Sequence, residues 1–256
     1  MANKDSIGKT LGVALLLCIV CSVVVSTAAV KLRPLQQINK DIDRKRNILL
    51  AAGMYEKGQS VDEQFAAIDT RLVDLQSGQF VEGDPSSFDQ RKAAKDPSRS
   101  IKLSGSEDIA KISRRENKAL VYIVEGDNGE LDKLILPVHG YGLWSTLYGF
   151  VALEDDLNTV AGLGFYDHAE TPGLGGEVDN PRWKAIWPGK QVYKNGEVEL
   201  ALKKGTVSQG ETNASYRVDG LAGATLTSRG VTNLVQFWLG ENGFQPFLEN
   251  YKRGDA

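Results

Sequence analysis

Three hydroxyl side chains lie within four residues near the C-terminus: Thr225, Thr227 and Ser228. Small residues precede them in the run 219–224, Asp-Gly-Leu-Ala-Gly-Ala. The apolar residues behind them recur at the spacing of one helix face: Val231, Leu234, Val235, Trp238 and Leu239. This pattern predicts a helix that begins at or just after the hydroxyls. A helix start has unpaired N–H groups and the positive end of the macrodipole, which favour an anion such as a phosphate.

Two interpretations of these hydroxyls are open. In the simpler one, Thr227 or Ser228 caps the helix, and Gly220 and Gly223 form a turn. In the other, the small residues let a phosphate group approach the backbone, and one hydroxyl is the point at which that group is attached.

The hexapeptide Gly-Ala-Thr-Leu-Thr-Ser at 223–228 resembles the S/T-G-A-T-x-S/T motif of bacterial flavoproteins. In those proteins the threonine after the alanine carries FMN through a phosphoester bond, and Thr225 matches it. The chain departs from the motif at its first position, where Ala222 replaces serine or threonine. The resemblance places the rest of the hexapeptide around the cofactor: Gly223, Ala224, Leu226, Thr227 and Ser228.

Two earlier segments carry further signals, at 140–145 (Gly-Tyr-Gly-Leu-Trp-Ser) and 168–175 (His-Ala-Glu-Thr-Pro-Gly-Leu-Gly). Proline fixes φ within the Thr-Pro-Gly turn at 171–173, and Gly173 and Gly175 permit positive φ or close approach of a ligand. From the residues alone, the second segment is either a tight loop or a ligand-binding loop.

Together with the threonine motif, these segments resemble a flavin-binding domain shared by two bacterial families. These are the C subunit of the sodium-translocating NADH:quinone oxidoreductase and the G subunit of the RNF complex, and the chain looks closer to the first. The resemblance implies further cofactor contacts by Trp144, Ser145, Glu170, Thr171, Gly173, Leu174 and Gly175.

The function implied by this resemblance is that of an electron-relay subunit with covalent FMN, in a complex that oxidises NADH with quinone and exports sodium. The implied partners are an iron–sulfur subunit, a second flavin subunit and a flavin transferase. Neither an NADH site nor a catalytic residue is expected on this chain. Two alternatives stay open: an RNF subunit with the same cofactor, and a membrane-anchored binding module without one.

An uncharged, apolar stretch runs from Thr10 to Val30 between Lys9 and Lys31. A helix needs about 20 such residues to cross a bilayer. The stretch therefore predicts one transmembrane helix. Together with the bacterial families that the chain resembles, it implies a single span of the inner membrane with the soluble domain in the periplasm. The competing interpretation is a cleaved signal peptide, because the Ser-Thr-Ala run at 26–28 resembles a cleavage site.

Composition excludes several other classes of protein. The formal net charge of the 256 residues is −3, with acidic and basic residues mixed, so no nucleic-acid surface is expected. Cys18 and Cys21 both lie in the apolar stretch, which leaves no cysteine for a disulfide or thiolate site elsewhere. His139 and His168 are far apart in sequence, so we expect them to form hydrogen bonds and predict no metal site.

We predict three regions: a tail and anchor at 1–33, a helical and polar insertion at 34–118, and an FMN-binding α+β domain at 119–256. Pro34 is expected to end the anchor helix, and the apolar spacing then favours an amphipathic helix ending near Gly53. A second helix is predicted within Val61–Leu75, and a long loop between Ser77 and Ser106.

Strand patterns dominate the last region. Four are predicted at 119–125, 131–138, 147–153 and 159–165, and a further half-buried strand at 198–202. Because strands come before the final helix without regular alternation, we predict an α+β fold. It consists of an antiparallel sheet with flanking helices, preceded by one transmembrane helix.

Overall fold

An antiparallel sheet of six strands forms the centre of the fold. The computed structural model describes residues 6–208 and 210–256. The strands in chain order are β1 (Ile68–Asp74), β2 (Gln79–Val81), β3 (Ser100–Lys102), β4 (Arg114–Glu116), β5 (Lys118–Glu125), β6 (Leu131–Tyr141), β7 (Thr146–Glu154), β8 (Val160–Asp167), β9 (Tyr193–Lys194), β10 (Glu197–Val198), β11 (Ala201–Lys203) and β12 (Arg217–Asp219). The helices are α1 (Ile7–Ala51), α2 (Val61–Phe65), α3 (Gln90–Lys95), α4 (Pro181–Lys184), α5 (Thr225–Trp238) and α6 (Gln245–Arg253).

The order in the large sheet is β2-β1-β5-β6-β7-β8, and every neighbouring pair is antiparallel. Three small two-stranded sheets surround it: β3 with β4, β9 with β10, and the parallel pair β11 with β12. The predicted α+β class is confirmed, as are the four strands expected between 119 and 165.

Both faces of the sheet are buried, and β5 shows how. Val121 and Ile123 pack in the apolar core that includes the buried side of α5, while Leu120 and Tyr122 pack in a second core. Successive strand residues point to opposite faces, so a strand covered on both sides is continuously apolar. In the second core, Tyr122 and its neighbours meet Ile48, at the end of α1.

Helix α1 ends as the sequence predicts, next to a glycine with positive φ. Gly53 has a φ of 70°, and the Met54 N–H donates to the Leu49 carbonyl at 2.8 Å, which closes the final turn. The end of α1 packs directly on β8. A Cβ atom at Gly162 would lie 2.3 Å from the Ala51 carbonyl oxygen, so only glycine permits this approach.

The predicted break at Pro34 is wrong, because Pro34 lies inside α1. A proline inside a helix costs about 3 kcal/mol through the lost hydrogen bond and the ring clash. The apolar sequence before Pro34 and the amphipathic sequence after it each favour helix, so the helix continues through Pro34 despite this cost.

The structure also corrects the predicted helix at 61–75 and the predicted loop at 77–106. Helix α2 stops at Phe65, and Ile68–Asp74 is strand β1, because pairing with β5 over seven residues outweighs the helical spacing. The loop contains β2, α3 and β3, and the Asp89 side chain caps α3 by accepting the Lys92 N–H at 3.0 Å. The strand expected at 198–202 is interrupted between β10 and β11.

The chain divides into two compact units between Asp43 and Arg44. In the first, α1 has a mean hydropathy of 2.7 over its most apolar window, and none of that window is buried. By length and composition it is able to cross a membrane, which agrees with the predicted N-terminal helix. The domain bounds at 33/34 and 118/119 stay a prediction, and β1 pairs with β5 across the second of them.

One carboxyl group in the folded unit is fully buried. Glu116, in β4, is 0% exposed; its Oε1 accepts from the Gln90 side-chain amide at 2.6 Å, while Oε2 has no hydrogen-bond partner among the described residues. Burial disfavours the charged form and raises the pKa of Glu116 to about 7 from an ordinary value of 4.5. Fold stability should therefore depend on pH.

We predict that the free energy of unfolding falls by about 3 kcal/mol between pH 4.5 and 7, because only the unfolded state loses the Glu116 proton in that window. Glu116→Gln should remove this slope and leave the chain more stable than wild type at pH 8. Chemical denaturation of the full chain in detergent, followed by tryptophan fluorescence, measures both quantities. The exposed Glu82→Gln variant is the control and should keep the slope. An unchanged slope in Glu116→Gln would refute the prediction.

Candidate functional site

Helix α5 begins at Thr225 without a side-chain cap. The residue before it, Ala224, has no side-chain acceptor, and Gly223 has a φ of 71° in the turn that leads into the helix. The first intrahelical bond runs from the Ser228 N–H to the Ala224 carbonyl at 2.9 Å. The N–H groups of the helix's first three residues, 225–227, therefore have no acceptor within the helix and are available to an anion.

The three hydroxyls have different environments. Thr227 is fully buried, and its Oγ1 donates to Glu170 Oε2 at 2.7 Å. Ser228 Oγ accepts the Leu221 N–H at 2.9 Å. Thr225 is exposed and makes no side-chain hydrogen bond within the described part of the chain. Since neither Thr227 nor Ser228 caps α5, the capping interpretation is wrong, although the turn predicted at Gly223 is confirmed.

The Glu170 carboxylate connects three segments of the chain. Besides the Thr227 hydroxyl on α5, it accepts the N–H groups of Leu143, Trp144 and Ser145 at Oε1, at 3.0, 2.9 and 3.3 Å. Burial acts to raise the pKa of Glu170, but these four hydrogen bonds outweigh it and lower the pKa below its ordinary value. The group is therefore a carboxylate at neutral pH, and its charge is surrounded by four donors.

Two glycines make room for this carboxylate. A Cβ atom at Gly142 would lie 2.6 Å from Glu170 Oε1, and one at Gly175 would lie 2.6 Å from both Glu170 Oε2 and Thr227 Oγ1. Gly173 differs from them, since it is exposed with a φ of 76° and would meet nothing with a Cβ atom. Gly142 and Gly175 thus serve the buried carboxylate, and Gly173 serves turn geometry.

His168 fixes the start of the loop at 168–175. Its Nδ1 accepts the Glu170 N–H at 3.2 Å, and its Nε2 lies 2.8 Å from Asp179 Oδ2. The hydrogen bond to Asp179 raises the pKa of His168, while burial acts against it. Nearby, the Ala169 N–H donates to Ser145 Oγ at 2.7 Å. Hydrogen bonds at Ala169 and at Glu170 therefore tie this loop to the 142–145 segment.

Large apolar side chains project into solvent around the start of α5. Trp144 is 66% exposed, Leu226 is 51% exposed and Leu174 is 44% exposed. Leu174 lies beside the turn before the helix, since a Cβ atom at Gly223 would be 3.0 Å from its Cδ2. Exposed apolar side chains beside free N–H donors suit an organic ligand with an anionic end. An exposed hydroxyl at Thr225 completes a donor set that fits FMN.

Comparisons with known proteins agree with this geometry. Residues 142–240 match the model of the FMN-binding domain family. The chain is 56% identical to the C subunit of the Na(+)-translocating NADH-quinone reductase of Pseudomonas aeruginosa, with 100% of both chains covered. It is 51% identical to the C subunit of the same enzyme from Vibrio alginolyticus, over 99% of this chain and 98% of that one.

The chain belongs to the family of these reductase C subunits. The family predicted from the sequence is thereby confirmed. Among solved structures, the chain resembles Shewanella oneidensis NqrC, with a TM-score of 0.78 and 38% identity over 84% of this chain and 99% of that one. It also resembles the C subunit from Parabacteroides distasonis, with a TM-score of 0.65 and 29% identity over 85% of this chain and 96% of that one.

The three segments predicted to contact the cofactor meet in this member of the family. Glu170 and Thr227 are buried and bonded to each other. Ala224 is buried as well, whereas Thr171, Gly173, Thr225 and Leu226 are exposed. The individual cofactor contacts stay predictions. Sequence analysis missed Gly142, whose signal was the Gly-x-Gly spacing, and Asp179, for which the sequence offers no signal.

His139 lies apart from this cluster in its contacts. Its ring stacks on Tyr148 with centroids 5.5 Å apart, and it packs against Trp238 at 4.9 Å. Burial lowers the pKa of His139 to about 3, so its imidazole is neutral at physiological pH. Its role is packing beneath α5.

We predict that Gly175→Ala destabilises the folded unit by roughly 1–3 kcal/mol, because the new methyl group would overlap the Glu170 and Thr227 side chains. Thermal and chemical unfolding of the full chain in detergent measure this. Gly173→Asn is the matched control in the same loop: asparagine tolerates positive φ, and the site has open space. Equal stability of the two variants would contradict the overlap.

Proposed function

We propose that this chain carries FMN through a phosphoester bond at Thr225 Oγ1 and relays electrons within a membrane complex. Membership of the C-subunit family makes it a subunit of an oxidoreductase. The observation that carries the flavin proposal is the position of Thr225: the exposed hydroxyl of the cluster, at the uncapped start of a 14-residue helix, beside exposed Trp144, Leu174 and Leu226.

Different residues of the chain would hold the phosphate and the flavin of the FMN. The free N–H groups at the start of α5 would hold the phosphate, whose ester with Thr225 keeps one negative charge at the positive end of the helix dipole. Trp144, Leu174 and Leu226 would cover apolar parts of the flavin. Ser145 and Thr171 lie on the two loops that frame these side chains. The Ser145 N–H donates to Glu170, and the Thr171 carbonyl accepts the Leu174 and Gly176 N–H groups.

Bound FMN would supply reversible electron transfer. What the protein adds is position, because a covalent link prevents loss of the cofactor. Because Trp144 and Leu226 are exposed, a flavin held beside them would be accessible to partner proteins without any opening of the fold.

The proposed complex oxidises NADH with quinone and exports sodium. Its iron–sulfur subunit would supply electrons to this chain, and a second flavin subunit would accept them. A flavin transferase would install the FMN. The RNF alternative shares the cofactor, but the full-length similarity to the reductase C subunits from Pseudomonas and Vibrio favours the quinone reductase.

Helix α1 is proposed as the single inner-membrane span, with the folded unit from Arg44 onward in the periplasm. Its apolar window supports the anchor, and the long polar region that follows is the part that would be translocated.

Protein made in cells with an active flavin transferase should gain the mass of one FMN less one water. It should also give an ultraviolet-fluorescent band that survives boiling in detergent. Thr225→Ala should abolish both signals, because it removes the acceptor oxygen. Thr206→Ala, at another exposed threonine, is the control and should keep them. Wild-type protein at its bare amino-acid mass would favour the binding module without a cofactor.

Orientation is tested with single cysteines in a Cys18→Ala, Cys21→Ala background. Lys204→Cys lies at an exposed position of the folded unit, and Ser6→Cys lies before the apolar part of α1. A membrane-impermeant maleimide added to intact spheroplasts should label Lys204→Cys at once and Ser6→Cys only after lysis. The reverse pattern would place the folded unit in the cytoplasm.

A further inference from the structure

We propose that Glu170 is a positioning residue that directs flavin attachment to Thr225, and that it acts through Thr227. This inference rests on the proposed function. The proposed function does not by itself explain why one of three neighbouring hydroxyls would be modified. The structure assigns the answer to the buried hydrogen bond between Thr227 Oγ1 and Glu170 Oε2 at 2.7 Å.

Attachment is a phosphoryl transfer in which the hydroxyl oxygen forms a bond to phosphorus. The donor would be a flavin dinucleotide, so the phosphorus–oxygen bond to the nucleoside monophosphate breaks and that group leaves. The hydroxyl proton passes to a base of the transferase. An acceptor must therefore be reachable from solvent by both the donor and the enzyme.

If activation by a neighbouring base alone decided, Thr227 would be the best nucleophile of the three, because its hydroxyl already donates to the Glu170 carboxylate. Its residue is 0% exposed, however, so no phosphoryl donor is able to reach it. The same hydrogen bond that would activate Thr227 also holds it inside. Burial outweighs activation, and Thr227 is excluded.

The bond also fixes the direction of the first turn of α5. Residues 225 and 227 lie about 200° apart around a helix. Holding Thr227 inward on Glu170 therefore turns Thr225 outward. Ser228 Oγ accepts the Leu221 N–H at 2.9 Å. Among the residues that the structure describes, Thr225 is thus the one of the three hydroxyls that is exposed and has no hydrogen-bond partner.

The Glu170 carboxylate is itself held in place, so it is able to fix the direction of the first turn of α5. Three backbone N–H groups at 143–145 converge on its Oε1, and Gly142 and Gly175 enclose the carboxylate so closely that neither tolerates a Cβ atom. The carboxylate is thus fixed by the 142–145 segment, and the first turn of α5 is fixed by the carboxylate.

The test measures the time course of flavin attachment to full-length chains co-expressed or incubated with the transferase. Intact mass gives the flavin content, and peptide mass spectrometry gives the modified residue. Glu170→Ala and Thr227→Val should each slow attachment at Thr225 roughly tenfold, the effect expected when a hydrogen bond to a charged group is lost. Thr227→Ser keeps the hydroxyl and should restore the wild-type rate.

Glu177→Ala is the matched control for charge and position. Glu177 is in the same loop region, but its carboxylate accepts from the Asn180 side chain at 2.7 Å and forms no hydrogen bond to α5 within the described residues. This variant should therefore be labelled at the wild-type rate. A melting curve is recorded for each variant so that rates are compared among folded chains. If Glu170→Ala fails to fold, the comparison of Thr227→Val with Thr227→Ser decides.

The outcomes separate this inference from the proposed function. Wild-type protein with no flavin would refute the proposed function itself. Flavin at Thr225 in the wild type, with the same rate in folded Glu170→Ala and Thr227→Val, would refute only the positioning role. Slow attachment in these variants, or flavin that moves to position 227 or 228 in Glu170→Ala, with rescue by Thr227→Ser, supports it.

Discussion

A buried carboxylate organises the candidate site, and the rest of its geometry depends on the donors around that charge. A charge in a protein interior costs free energy unless it is hydrogen-bonded. Glu170 satisfies this condition with three N–H groups and one hydroxyl drawn from two other segments of the chain. Because no single segment supplies all four donors, the charge is stable only when the segments meet. Gly142 and Gly175 follow from this, since a side chain at either would displace the carboxylate.

The sheet brings those segments together around Glu170. Strands β6 and β7 are joined at the 142–145 segment, and β8 leads directly into the Glu170 loop. Helix α5 packs against β6 at two glycines: a Cβ atom at Gly140 would lie 2.9 Å from Leu234 Cβ, and one at Gly230 would lie 2.5 Å from the Tyr141 carbonyl. Close packing thus fixes α5 relative to the end of β6, and the Glu170 hydrogen bonds fix the direction of its first turn.

An element or site residue could be predicted from the sequence when its position depends on neighbouring residues in the chain, and not when it depends on distant ones. The strands from 119 to 165 and the start of α5 were predicted, because apolar runs rich in Val, Ile and Tyr between turns, and helical spacing, reflect burial of each element's own side chains. Strand β1 was mistaken for helix because the four-residue spacing of Ile68 and Leu72 fits both one face of a helix and one face of a strand, and only pairing with the distant β5 decides. Pro34 misled for a similar reason, since its cost is local and the compensation lies in the flanking sequence. The role of Glu170 had no local signal, because its four donors lie 25 to 57 residues away.

The start of α5 has no side-chain cap, which keeps its N–H groups available beside the Glu170 cluster. Serine, threonine, aspartate or asparagine before α5 would stabilise the helix by about 1 kcal/mol, yet the position is Ala224. Such a cap would accept one of the first-turn N–H groups and place its own oxygen where an anion would bind. The neighbouring hydroxyls do not compensate, since Thr227 and Ser228 are turned to other partners. An uncapped start gives up a small, local stabilisation and keeps the donors free for a phosphate, whose charge interacts with the same N–H groups more strongly than a neutral cap would.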